Sequence, residues 1–278
     1  MRAVEWVGQG ACAWRRDAVM SGRAGGLISI SIDLELDPRH PHCLHPRLDA
    51  VRQELIDLFS SLAIPATWAV ADPLYSAATD SILAAGGAQE IAVLGDEAWL
   101  GPGCGRLRMA RELARRFAAA RQAGIPTTTL AIRSVSRMPE LDLLWEHGVR
   151  TLCPPASSCR PGPAVQPRGW SSGRMWQSPV PWRFPLAGGW WSWNAWLVWR
   201  AIQKATSIHS ALHLRLEASQ LMGAPRKVLR WLGRLLLWLV RQRQGGCLSI
   251  RTLAEQASES LRASAAMSPA HPLATSAA

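Results

Sequence analysis

Asp33 and Glu35 stand two residues apart near the end of residues 27–36, Leu-Ile-Ser-Ile-Ser-Ile-Asp-Leu-Glu-Leu, where branched apolar residues alternate first with serines and then with carboxylates. Alternation is the period of a β-strand. It sends Ile28, Ile30, Ile32 and Leu34 to one face and Ser29, Ser31, Asp33 and Glu35 to the other. Two acids buried together are costly unless a cation, a metal ion or a proton meets them, so such a strand end is a place for chemistry. The same pattern also describes an edge strand with a solvated acidic end. Residues 37–46 follow, broken by Pro38, Pro41 and Pro46 and carrying His40, His42 and His45. Imidazole beside carboxylate suits zinc and its neighbours, while a histidine between prolines is equally a plain polar loop residue.

These side chains need elements to position them, and the chain repeats one pattern. Residues 48–62 place Leu48, Val51, Leu55, Leu58, Phe59 and Leu62 on one helical face, and residues 64–70 read as the next strand. Strand, helix, strand at this spacing is a parallel βαβ unit. Further rounds are a helix near 76–85 with a strand at 90–94, a helix at 105–122 with a strand at 128–133, and a helix at 139–147 with a strand at 149–152. The repetition predicts an α/β chain, either a barrel or a doubly wound sheet.

Residues 154–192 interrupt the rhythm with prolines, glycines and tryptophans, and only 175–180 reads as a strand. Trp182, Trp190, Trp191, Trp193, Trp196 and Trp199 lead into a short helix ending near Lys204. Such rings stack on sugars, sit at membrane interfaces or anchor loops on a core. A strand at 208–216 puts His209, Ala211, His213 and Arg215 on one face. Residues 225–243 form the most evident helix, with an apolar stripe from Val228 to Val240 and a cationic remainder. A helix of that kind lies on an anionic membrane or covers a barrel with a solvated face outward. A strand at 247–250 and a helix at 253–261 complete one large domain, 27–257, between a flexible leader, 1–26, and a disordered tail, 258–278.

Composition bounds the partners. A chain of 278 residues that is 48% hydrophobic is not generally disordered. Its formal charge of +11 favours anionic surfaces such as lipid head groups, nucleic acid or acidic glycans. Nucleic acid is the weakest of these, since only net charge speaks for it. The six cysteines have no C-x-x-C pair and no zinc-cluster spacing, which reads as free cytosolic thiols. No apolar run long enough for a signal peptide lies in 1–26, and no uncharged span crosses a bilayer, so the expected location is cytoplasmic, with peripheral membrane contact through 225–243 as the variant.

The order of segments resembles the polysaccharide deacetylase family, the NodB homology domain. Ser31-Ile32-Asp33-Leu34-Glu35 is similar to its first motif, a strand ending in acids, and Ile64-Pro65-Ala66-Thr67-Trp68 to its step into the second strand. Gln89-Glu90-Ile91-Ala92 resembles the "H-E-I-G" opening of its second motif, and Ile132-Arg133-Ser134 its arginine strand. The segments 141–149, Trp176-Gln177-Ser178-Pro179 and Leu212-His213-Leu214 are similar to its later helix, its "W-E-x-P" strand and its closing histidine motif. The resemblance implies a distorted (β/α) barrel of about seven parallel strands with the site at their C-terminal ends. It also implies hydrolysis of the N-acetyl amide of a carbohydrate by a divalent metal such as zinc. Asp33 would be the base, Arg133 its partner and His213 the acid, with Trp68, Trp99 and Trp176 as candidates for binding the substrate.

The family's metal ligands do not carry over. Leu34, Leu94 and Ala98 stand where an aspartate and two histidines are expected, and none can bind an ion. Glu35, on the face of Asp33, is the candidate ligand of a rebuilt site; Asp96, Glu97 and the histidines of 40–45 are others. The alternative is an inactive deacetylase-fold protein with no metal, which binds glycan or a protein partner, at a membrane surface in one version.

Overall fold

The eight residues of β1 (Gly26–Asp33) organise the sheet, because three other strands pair with them. In this computed structural model, which describes residues 25–36, 45–101, 103–134, 140–155, 170–171, 175–179, 181–183, 198–204, 211–222 and 226–267, the strand pairs along its whole length with β9 (Ala211–Glu217). Its last residues pair with β2 (Ala66–Val70) and its first with β10 (Leu248–Ile250). Outward from β2 come β3 (Gln89–Gly95), β4 (Thr129–Ile132), β5 (Thr151–Cys153) and β7 (Trp176–Gln177). The run β7-β5-β4-β3-β2-β1-β9 is seven strands, all parallel. This is the distorted (β/α) barrel expected above.

Two short strands finish the edges: β6 (Trp170–Ser171), antiparallel to β7, and β8 (Trp182–Arg183), parallel to β9. β7 and β8 lie at opposite ends of the sheet, yet only the segment from Gln177 to Trp182 separates them in sequence. A chain that short spans at most about 18 Å, so the two edges must curl towards each other. Ser178 makes the bridge, with its backbone N–H donating to Leu152 O at 2.8 Å and its hydroxyl 3.2 Å from His213 Nδ1 on β9.

All of the helices but the last cover the outside. The helices are α1 (His45–Ser61), α2 (Ala77–Ala84), α3 (Glu97–Leu100), α4 (Arg106–Leu113, continuing through a π turn at Ala114–Ala118 to Ala119–Gln122), α5 (Leu141–Glu146), α6 (198–204), α7 (Ala218–Leu221), α8 (Arg226–Gln244) and α9 (Leu253–Met267). Strand alternation sorts the residues as the sequence predicts. Ile28, Ile30, Ile32, Trp68, Ile91, Leu214 and Leu216 face outward into a core with Leu55, Phe59, Leu232 and Leu239 of α1 and α8. Val93, Leu130, Ile132 and Leu152 pack in a second outer core with Leu113, Phe117 and Leu144. The apolar stripe of the 225–243 segment therefore covers the barrel.

The inner face differs in kind. Ser29, Ser31, Asp33, Thr67, Glu90, Thr129, Thr151, His213 and Arg215 are all buried there, and α9 packs Leu253 and Ala257 against Ala69, Ala92, Leu94, Ala131, Cys153 and Trp176. The first N–H groups of a helix need acceptors, and α9 finds them in the barrel. Leu253 N–H donates to Thr67 Oγ1 and Ala254 N–H to Glu90 Oε2, each at 3.0 Å. Thr252 and Glu255 close a reciprocal capping box. This anchoring carries α9 through Met267, past the boundary at 257 where the sequence reading began a disordered tail. A second difference concerns Gly25, expected within the flexible leader. A Cβ there would lie 2.4 Å from Cys247 O, so the residue is small to let β1 meet β10. Residues 1–24 of the expected leader and 268–278 of the expected tail lie outside the described residues.

Burial raises the pKa of Glu90 above the ordinary carboxylate value, although Thr129, Ala254, Thr67 and Leu253 oppose it through hydrogen bonds. A raised folded-state pKa means that the folded chain keeps a proton that the unfolded chain has released. Stability from this group is therefore complete below the unfolded value of 4.5 and declines as pH rises through the folded one. Glu90→Gln mimics the protonated form. Its melting temperature at pH 7 to 8 is expected to exceed that of the parent, with the gap closing as pH falls towards that unfolded value; a gap independent of pH would show that Glu90 does not titrate with folding.

Candidate functional site

Asp33 ends β1 and Arg133 follows β4 directly, so both side chains sit at the C-terminal ends of parallel strands, where barrel sites are built. They meet as a bidentate pair. Arg133 Nε donates to Asp33 Oδ2 at 2.8 Å and Nη2 to Oδ1 at 2.7 Å. The same guanidinium donates to Leu36 O at 2.9 Å and Glu35 O at 2.8 Å, clamping the chain as it leaves β1. The backbone N–H of Glu35 gives Asp33 Oδ1 a further donor at 3.0 Å. Burial disfavours the Arg133 cation, but the hydrogen bonds and charge of Asp33 outweigh it and hold its pKa above the usual arginine value.

Arg215 is the residue that the sequence reading did not promote. β9 pairs with β1 in the register Ser31↔Arg215, which sets Arg215 beside the Asp33 carboxylate. Its Nη2 is 3.5 Å from Asp33 Oδ2 and its Nη1 donates to Ile132 O at 2.5 Å. Arg215 is 2% exposed and Asp33 1%, whereas the Arg133 side chain reaches 14%. One buried carboxylate thus carries two guanidinium groups, and only Arg133 reaches towards solvent.

His213 lies one inner row below. Its Nε2 is 2.8 Å from Ser31 Oγ, and its Nδ1 is 3.2 Å from Ser178 Oγ and 3.4 Å from Pro179 O. Because Ser178 Oγ donates to Pro179 O at 3.0 Å, the network is satisfied when Nδ1 carries the ring proton and Nε2 accepts from Ser31. Burial, reinforced by the positive charge of Arg215 and opposed by the Pro179 carbonyl, lowers the His213 pKa to about 3. The imidazole is neutral at neutral pH. Cys153, on the same inner face, has its thiol pKa pushed up by burial.

The other candidates are placed elsewhere. Glu35 follows the end of β1, where alternation no longer holds, and its carboxylate accepts from Ala71 N–H and Arg52 Nη2, each at 3.1 Å, rather than sharing the Asp33 face. Trp68 is an outer-core residue, edge-on to Phe59 with a centroid separation of 5.5 Å, and its Nε1–H donates to Gln89 Oε1. Trp99 packs in the second outer core beneath the Arg116 guanidinium. Trp176 is on the inner face against α9. The three indoles do not converge on Asp33, and all are buried.

The positions at which the resemblance expects metal ligands hold a buried Leu34, a buried Leu94 and an exposed Ala98. Among the described residues no three histidine, cysteine, aspartate or glutamate side chains cluster as a metal site. His40 and His42, and the side chain of His45, lie outside the described residues. Among the described residues the donor set does not fit a bound divalent ion.

The chain matches a protein assigned as a polysaccharide deacetylase from Mycobacterium smegmatis with a TM-score of 0.66, at 15% identity, over 87% of this chain and 92% of that one. The fold is that of the polysaccharide deacetylases. A second such protein, from Pseudomonas aeruginosa PAO1, matches with a TM-score of 0.56 at 12% identity over 87% and 93% of the two chains. The Puue allantoinase matches with 0.59 at 14% identity over 91% and 93%. No protein-family model matches the sequence, and no curated protein does. Among the described residues no helix is long and apolar enough to cross a membrane.

Proposed function

We propose that this protein uses the deacetylase fold to bind a carbohydrate at the C-terminal rim of the barrel and does not hydrolyse it through a bound metal. The observation that carries this reading is the occupancy of Asp33. A carboxylate offers about four lone-pair sites. Here Arg133 Nε, Arg133 Nη2 and the Glu35 N–H take three, and the Arg215 guanidinium faces Oδ2 at 3.5 Å as an ion pair without a hydrogen bond. A carboxylate held by three hydrogen bonds and faced by two guanidinium charges is a weak base towards water. Two further features support it. Leu34, Leu94 and Ala98 offer no ligand atom, and His213, neutral with a pKa of about 3, holds no imidazolium proton for a leaving amine. The carbohydrate class comes from the named activity of the structural neighbours, two of which are described as polysaccharide deacetylases. Arg133 is the group best placed to meet a ligand, since it alone of the cluster reaches solvent.

Tag-free protein incubated with zinc, manganese or cobalt is expected to retain metal only at background and to release no acetate from N-acetylated oligosaccharides, while the same oligosaccharides give ligand-observed NMR saturation transfer. Glu35→Ala is expected to cost about 1 kcal/mol by opening the Arg52 contact and to leave metal content unchanged. Near-stoichiometric metal that disappears in Glu35→Ala, together with acetate release, would establish a rebuilt hydrolase and overturn the proposal.

A further inference from the structure

The stripe of α8 that faces away from the barrel is unlike the other helical surfaces. Over 19 residues the helix holds six basic side chains and no acid. At 100° per residue, Arg226, Leu237, Arg230, Arg241 and Arg234 fall in that order within an arc of about 80°, diametrically opposite Val228, Leu232, Leu235 and Leu239 of the core. All four arginines are exposed, and Leu237, between Arg226 and Arg230 in the arc, is 45% exposed. None of the four has an acidic partner among the described residues. On other surfaces Arg52, Arg106, Arg115 and Arg116 each meet a carboxylate.

A face kept only for solubility mixes charges, because like charges at i and i+4 destabilise a helix. The pairs Arg226/Arg230 and Arg230/Arg234 are at that spacing. Folding does not explain this ridge, since the apolar face already secures the helix. Its partner is anionic by charge complementarity, and its shape narrows the choice. The ridge is straight, about 22 Å long, with an exposed leucine set among cations. A phosphate backbone offers that leucine nothing, whereas a bilayer presents anionic head groups above an apolar boundary.

We propose that the Arg226, Arg230, Arg234, Leu237 and Arg241 ridge of α8 docks the protein on an anionic lipid surface, with the helix axis in the membrane plane and the barrel above it. The contact is peripheral because the apolar face of α8 stays in the core. It is independent of what the barrel rim binds.

The test is co-sedimentation of the full chain with phosphatidylcholine vesicles, with and without phosphatidylserine, at low and high salt. Two double variants remove equal charge: Arg230→Gln/Arg234→Gln on the ridge, and Arg108→Gln/Arg111→Gln, an exposed pair on α4 that also lacks acidic partners among the described residues. The protein is expected to sediment only with phosphatidylserine vesicles, to be released by high salt, and to partition about tenfold or more weakly in the ridge variant while the α4 variant binds as the parent does. All four side chains are exposed, so both variants should melt with the parent. Equal weakening in the two variants would reduce the effect to net charge and overturn the proposal. So would absence of binding, salt-independent binding to neutral vesicles, or duplex DNA stripping the protein from vesicles at equal phosphate.

Discussion

Asp33→Ala is expected to lower folding stability by about 3–5 kcal/mol, the scale for breaking a buried ion pair from one side. The carboxylate is 1% exposed and faces two guanidinium groups. Truncating it leaves Arg133 without its bidentate partner and Arg215, already short of a partner for Nη2, without the one ion-pair partner it has among the described residues. Like charge then faces like charge in a region with little access to water. Denaturant titration at pH 7 measures the loss, which should appear as a melting temperature lower by on the order of 10 °C for a domain of this size. The double variant Asp33→Ala/Arg133→Met separates pairing from packing. Removing the stranded cation should recover at least half of the loss, giving a coupling that two independent sites would not show. A single-variant loss below about 1 kcal/mol would mean that both arginines find water, and the buried cluster described here would be wrong.

The pairing of residues 33 and 133, one hundred positions apart, was legible only through the resemblance to the deacetylases, and the two local patterns agree with it without pairing the residues. Alternation in β1 put Asp33 on the inner face, and the repeating βαβ units placed Arg133 at the end of another parallel strand. The same logic held for Arg215. The sequence put it on one face with His213, but a basic residue in a strand reads as solvated until a carboxylate is found opposite, and that needs the register of β9 on β1. Glu35 failed for the converse reason. Alternation binds a residue only while the strand lasts, and β1 stops at Asp33, so Glu35 turns to Arg52 on α1.

Tryptophan was the least readable residue. Trp68 occupies an outward position of β2, and strict alternation from Thr67 would have assigned it to the core. Its size and chemistry suggested a sugar platform where its place in the strand required packing. Glu90 shows a different limit. It is an inner residue of β3 whose partners arrive from β2, β4 and the start of α9, the last of them 164 residues later. No local pattern announces a carboxylate that serves as the acceptor for a distant helix end. What the sequence did carry was the alternating strand, the amphipathic helix and their order, and these suffice for the barrel. What it lacked was the set of contacts made when the sheet curls and its edges meet.

That curling also sets the strongest expected pH effect. His213 is buried between Ser31 on β1 and Ser178 at the opposite edge, with its folded pKa near 3 against an ordinary 6.5. Between those values the unfolded chain binds a proton that the folded chain refuses. The sign follows: the stability associated with a neutral His213 is complete above about pH 6.5 and is lost as pH falls towards 3. One proton is worth roughly 1.4 kcal/mol per pH unit, so the full interval amounts to on the order of 5 kcal/mol. Carboxylates also titrate in acid, and a comparison isolates the histidine. His213→Gln keeps a donor and an acceptor in the site but carries no titrating group. Denaturant midpoints measured from pH 7 down to 4 should fall more steeply in the parent than in the variant, with the slopes differing by about one proton. Parallel slopes would mean that the imidazole protonates in the folded state. In that case His213 would hold an acidic proton within the barrel, and the reading of this chain as non-hydrolytic would lose one of its supports.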